Sequence, residues 1–189
     1  TEQQIIADLE QKRTFSSFSY YDGLKLNVNG KLHKEANFHR LPAHAQESVR
    51  PAVWELSKHA SGITIKFKSN SSSIALKWKV SHVLEYANMN KICASGLDLY
   101  CLKNGKWQFV NSAIPTGKLT EQLLIANMDT SSKEFLIHLP LYNELETILI
   151  GIKADSHISS CTNDFSTDKP VVFYGTSITQ GASASRPGL

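Results

Sequence analysis

Near the carboxyl end of this 189-residue chain an apolar run, Pro170-Val171-Val172-Phe173-Tyr174, opens directly into Gly175-Thr176-Ser177-Ile178-Thr179-Gln180-Gly181. A buried parallel strand reads as a continuous hydrophobic run, and a small flexible loop at its carboxyl end can hold a hydroxyl outward with backbone N–H groups beside it. Ser177 is therefore the candidate nucleophile; it needs a base to activate it and donors for an oxyanion. Asp155-Ser156-His157 places an acid and an imidazole on one side of an extended segment, but it precedes the serine and lies in a polar stretch that reads as a linker, so we read it as non-catalytic. His39 and His44 bracket Arg40-Leu41-Pro42-Ala43 without a third ligand or a carboxylate, and Cys93, Cys101 and Cys161 match no zinc spacing. No metal and no cofactor is called for. The cysteines read as small hydrophobes, with a Cys93–Cys101 bridge as the alternative in an oxidising compartment.

The elements that must position Ser177 lie upstream of it. With 41% hydrophobic residues the chain can bury one substantial core. Twenty basic against 17 acidic side chains leave a net charge of +3, too balanced to imply a polyanionic partner such as nucleic acid. No apolar run approaches the ~20 residues that cross a bilayer. Thr1-Glu2-Gln3-Gln4 lacks the basic and apolar regions of a secretory signal, which is compatible with a secreted or periplasmic mature form whose signal has been removed.

Between Gly62 and Lys153 the dominant period is two. Ile63, Ile65 and Phe67 alternate with Thr64, Lys66 and Lys68; after Asn70-Ser71-Ser72-Ser73, Ile74, Leu76, Trp78 and Val80 alternate with Ala75, Lys77 and Lys79. This predicts a hairpin with one buried and one wet face, the four lysines forming a solvated, edge-protecting ladder. A second hairpin is predicted from Leu97–Leu102 and Trp107–Val110 across Asn104-Gly105, a dipeptide suited to a type I′ turn. Further strands are expected over Gln122–Ala126, Glu134–Leu139 and Thr147–Ile152, a short helix over Gln3–Lys12, and no continuous helix through Arg50-Pro51. Trp54, Trp78 and Trp107 all read as core. The fold class is all-β, a jelly-roll-like β-sandwich, with residues 1–168 as the sandwich, its linker at about 155–168, and residues 169–189 as the start of a second domain.

Several stretches together resemble one family. Gly96-Leu97-Asp98-Leu99-Tyr100 is similar to the Gly-x-Asp-Leu-Tyr signature of the amino-terminal β-domain of SGNH (GDSL-like) hydrolases. Val49-Arg50-Pro51-Ala52-Val53-Trp54, the stretch from Ile65 to Ile74 and Leu139-Pro140-Leu141-Tyr142-Asn143 also resemble segments of that domain. Tyr174 to Gly181, followed by Ala184-Ser185-Arg186-Pro187-Gly188, resembles the first sequence block of the attached hydrolase domain.

The resemblance implies a serine esterase that removes acyl groups, commonly acetyl, from carbohydrates, with a flavodoxin-like α/β domain of which this chain carries the first strand and nucleophile loop. Ser177 falls on the nucleophile position, its own N–H giving one oxyanion donor; the remaining donors and an activating histidine with its aspartate would come from later blocks that the 189 residues do not contain. The chain alone is accordingly expected to be inactive. The rival reading is a non-catalytic glycan-binding or scaffold module. For Asp98 and Tyr100 a structural hydrogen bond is the expectation rather than sugar contact. The partner implied is an acylated carbohydrate, with neither nucleic acid nor membrane. The apolar run at 170–174, lacking cover, is expected to pack on its own sandwich or to pair with a second copy as a homodimer.

Overall fold

The computed structural model describes residues 15–161 and 171–189. The expected helix over Gln3–Lys12, Pro170 and the boundary at 168/169 lie outside the described residues. Where apolar and polar residues alternate the chain is extended, and the strands form two antiparallel sheets. The first sheet is ordered β1-β9-β4-β7, from Phe18–Asp22 (β1), Leu145–Lys153 (β9), Ile74–Val80 (β4) and Leu119–Ile125 (β7). The second is ordered β10-β3-β8-β5-β6, from Ile158–Ser160 (β10), Thr64–Ser69 (β3), Lys133–His138 (β8), Leu97–Lys103 (β5) and Lys106–Ala113 (β6). Asn27–Asn29 (β2) shares the outer edge of β3 with β10.

The predicted pairing of the first two strands is corrected. β3 and β4 are both half of the core but lie in different sheets, β3 beside β8 and β4 between β9 and β7. Ile65, Phe67, Ile74, Leu76 and Trp78 are all fully buried, so each strand turns its apolar side inward from an opposite wall. Alternation fixes which face of a strand is buried and leaves its neighbour open. The serine-rich connection is a buried corner rather than a tight turn: Ser71 Oγ donates to the Ser73 carbonyl at 2.6 Å and accepts from the N–H groups of Ser73 and Lys153, while Ser69 Oγ accepts from Ser71 N–H. Short hydroxyl side chains there satisfy backbone groups that water cannot reach. The lysines consequently face outward from two separate sheets. Lys66 and Lys68 both approach the Glu134 carboxylate, Lys77 approaches Glu121, and Lys79 pairs with Glu146, each on a neighbouring strand.

The second hairpin forms as predicted. Lys103 pairs with Lys106 across Asn104 and Gly105, whose φ values of 53° and 71° are those of a type I′ turn. β7, β8 and β9 cover the remaining predicted strands. Pro51 occupies the first turn of the helix Pro51–Ser57 (α1), and the extended Arg50 separates it from a short 3-10 turn at Ala43–Glu47. Lys91–Ser95 forms a second short helix, α2, capped by Asn90, whose side chain accepts from Cys93 N–H at 2.8 Å. The segment expected to begin the linker instead adds a strand: Ile158–Ser160 pairs with β3, with His157 N–H donating to Asn70 Oδ1 and the His157 carbonyl accepting from Ser69 Oγ. Cys93 and Cys101 are not bridged to each other. Trp54 and Trp78 are buried as expected, whereas Trp107 is 37% exposed on the outer side of β6. It alternates with the wrong neighbours for burial, since β6 is an edge strand whose residues 106–109 are all exposed.

Trp78 fills the centre of the core, its indole N–H donating to the Ser95 carbonyl at 3.2 Å. Replacing it with alanine removes a large buried ring and is expected to cost about 3–5 kcal/mol in urea denaturation, against less than about 0.5 kcal/mol for Lys77→Ala, whose ammonium is exposed. Similar small changes for both variants would contradict this register.

Candidate functional site

Val171–Gly175 is not a strand in this chain. Val171 is 80% and Tyr174 99% exposed, and no described strand pairs with the run. A run suited to burial on both faces has nothing here to cover it, so the predicted strand is absent, and the run does not pack on its own sandwich. The residues after Thr176 do. Ser177–Gln180 makes a single helical turn, α3, entered through the extended Thr176 and closed by Gly181 with φ at 100°, a left-handed position that glycine takes without strain. Ser177 is exposed, and its polar neighbour on the sandwich is the Tyr142 hydroxyl. His157, the histidine nearest the serine in sequence, does not join it; its backbone is engaged at the far corner beside Asn70.

The turn rests on the sandwich through the loop before β9. Tyr142 hydroxyl donates to the Ser177 carbonyl at 2.9 Å. Gln180 Nε2 donates to the Leu141 carbonyl at 2.8 Å and lies 3.0 Å from His59 Nδ1, while Ser61 Oγ donates to the Gln180 carbonyl at 2.8 Å. The loop is itself pinned by Asn143, which is buried and donates from its amide to the His82 carbonyl and to Ser95 Oγ. Burial pushes the Tyr142 hydroxyl pKa upward, so the group stays a donor at neutral pH. Burial, helped by the Arg40 charge, lowers the His59 pKa to about 4, so that imidazole is neutral.

Beyond the turn the tail crosses the outer face of the second sheet and ends in a clamp. Asp98, on β5, is fully buried. Its Oδ1 accepts from Ser112 Oγ at 2.6 Å; its Oδ2 accepts from Arg186 Nη1 at 2.7 Å and from Gly188 N–H at 2.9 Å. Tyr100, two residues along the same strand face, donates its hydroxyl to the Gly188 carbonyl at 2.7 Å and receives Arg186 Nη1. The guanidinium also lies over the Phe109 ring, 4.1 Å from its centroid. Although burial opposes its charge, hydrogen bonds to Tyr100 and Asp98 raise the Arg186 pKa further. His138, opposite Asp98 on β8 and edge-on to Tyr100, has its pKa lowered by burial in the same neighbourhood. Between clamp and turn, Asn90 donates to the Ser185 carbonyl and Ser183 Oγ to the Asn88 carbonyl.

Asp98 and Tyr100 thus make structural hydrogen bonds, as the alternation of β5 implies, but with partners that alternation does not name. Arg186, Tyr142, His59 and Gln180 carry no local signal of their roles. Among the described residues no cluster of histidine, cysteine and carboxylate could hold a metal ion.

Two family patterns divide the chain. Residues 18–158 match GxDLY, described as the N-terminus of SGNH-hydrolase-type esterases, and residues 168–189 match the GDSL-like lipase/acylhydrolase family. Among solved structures, a protein from Bacteroides ovatus ATCC 8483 described as a GDSL-like lipase is 41% identical, with a TM-score of 0.85 over 90% of this chain. The chain spans 50% of that protein's length. The salicylyl-acyltransferase SsfX3 from a tetracycline biosynthetic pathway, 11% identical, aligns over 78% of this chain and 43% of its own with a TM-score of 0.59, a likeness of fold. No curated protein matches the sequence.

The clamp makes a measurable demand. Arg186→Ala strands a buried carboxylate and is expected to cost about 2–4 kcal/mol in urea denaturation and to speed proteolysis of the tail, while Arg186→Lys recovers only part because lysine cannot stack flat on Phe109. An Arg186→Ala variant with unchanged stability and tail protection would reduce the clamp to a surface contact.

Proposed function

Because this chain belongs to the GxDLY family, the amino-terminal β-domain of SGNH-hydrolase-type esterases, we propose that it is the jelly-roll-type platform of a serine esterase that deacylates carbohydrates, with Ser177 as nucleophile. The observation that carries this reading is the clamp. Asp98 and Tyr100 of the sandwich grip Arg186 and Gly188 of the segment that resembles the first hydrolase block, and Ser177 stands exposed at the Tyr142 contact upstream of that grip. In the reaction proposed, a histidine from the remaining, flavodoxin-like part of the longer protein takes the Ser177 proton as Oγ bonds to the acyl carbon. The sugar alkoxide leaves with that proton, and water then releases the acid and regenerates the serine. The Ser177 N–H is one donor to the oxyanion.

The rival glycan-binding reading would use Trp107 and Phe109 on β6. Against it, the Lys66 ammonium lies 5.8 Å over the Trp107 ring and Arg186 covers Phe109, so a cation already occupies a face of each ring. A separate observation, the exposure of Val171–Tyr174, supports self-pairing of the 189-residue chain through that run. Light scattering is expected to show a dimer that Phe173→Asp converts to monomer; a wild-type chain monomeric at every concentration would rule the pairing out.

In the longer protein, Ser177→Ala is expected to lower p-nitrophenyl acetate hydrolysis by about a thousandfold or more, whereas the 189-residue chain should hydrolyse the ester no faster than its own Ser177→Ala variant. Retention of activity by Ser177→Ala in the longer protein would end the nucleophile assignment.

A further inference from the structure

Gln180 shows how the nucleophile turn is oriented. Its Nε2 donates to the Leu141 carbonyl, which fixes which end of the amide faces the sandwich; the same nitrogen then meets His59 Nδ1 at 3.0 Å as a donor. His59 must accept through an unprotonated Nδ1. The burial that keeps this ring neutral supports the same protonation state independently of the hydrogen-bond geometry. His59 cannot drift, because its backbone bridges to Glu144 and its carbonyl accepts from Arg40 Nε at 3.0 Å. Its charged and titratable surroundings are Arg40 and His82, which disfavour protonation, Glu144 and Glu55, which favour it, and the Tyr142 ring at 6.0 Å. Ser61 completes the seat by donating to the Gln180 carbonyl.

We propose that His59, through the Nδ1 lone pair that accepts the Gln180 amide, is a positioning residue for Ser177, so that the β-domain sets the attack geometry of the esterase rather than only carrying it. The catalytic meaning of this latch rests on Ser177 being the nucleophile; the latch itself rests on hydrogen-bond geometry alone. An asparagine at position 59 presents an acceptor oxygen where Nδ1 now lies and cannot be protonated, so it retains the latch without the titration; alanine removes both.

Two measurements test it. In ¹H–¹⁵N spectra of the 189-residue chain, the Gln180 side-chain amide and the backbone amides of residues 180–182 are expected to shift in His59→Ala and to stay near wild-type positions in His59→Asn. As pH falls through about 4 the wild-type Gln180 amide should move with His59, and that movement should be missing in His59→Asn. In the longer protein, His59→Ala is expected to lower kcat about tenfold with KM within about twofold, and His59→Asn to restore kcat to within about threefold of wild type. Unshifted Gln180 resonances in His59→Ala, or a His59→Asn enzyme as slow as His59→Ala, overturn the proposal. A Ser177→Ala enzyme that keeps its activity sinks the nucleophile assignment instead, and the spectra of the 189-residue chain still decide the latch without any turnover.

Discussion

A carboxylate with no exposure to water must be met by positive charge or by several donors, and Asp98 is met by both. Its position makes this unusual. It stands on the outer side of the second sheet, where a β-sandwich ordinarily faces solvent, and part of what buries it is the tail more than eighty residues later in the chain. Two of its donors, Arg186 and Gly188, belong to that tail, and only Ser112 belongs to the sandwich. The sheet surface is therefore completed by residues 186–188, and the Asp-Leu-Tyr motif is a socket for them. Its aspartate supplies charge and its tyrosine supplies both an acceptor for the guanidinium and a donor to the chain beyond it.

With one end held in this way, the α3 turn needs only a second support to have a defined direction. The loop before β9 supplies it. Asn143 ties that loop to residues 82 and 95, and the loop in turn offers Tyr142 hydroxyl and the Leu141 carbonyl to Ser177 and Gln180. Each support uses a different chemistry, an ion pair stacked on aromatics at one end and neutral hydrogen bonds at the other. Salt or acid that loosens one need not loosen the other.

Much of the sandwich was legible in the sequence because period-two alternation reports burial directly, and Asn104-Gly105 specifies its own turn. The pairing of β3 with β8, rather than with β4, was not legible: both arrangements bury the same five apolar side chains, and the difference lies in serine hydroxyls that satisfy a buried corner. β10 was hidden because three residues added to an edge carry no periodicity. Ser177 could be singled out from its local surroundings. Its supports could not, since Tyr142, His59 and Arg186 meet their partners across 35, 121 and 88 positions of sequence, and nothing local to them announces a donor or acceptor so far away. Val171–Tyr174 shows the converse, a segment whose composition specifies a strand but whose pairing depends on neighbours it does not meet here.

The buried Asp98–Arg186 contact bears on how such a protein can be assembled from parts. Were a recombination event to give this sandwich a different tail, Asp98 would lose Arg186 and Gly188, and with them part of its cover from water. Were the tail moved onto another platform, Arg186 would arrive with no carboxylate to receive it. Either chimaera begins with an ion pair lost at the seam. The surface around residue 98 is thus a property of both pieces at once, and a change in either is felt by the other.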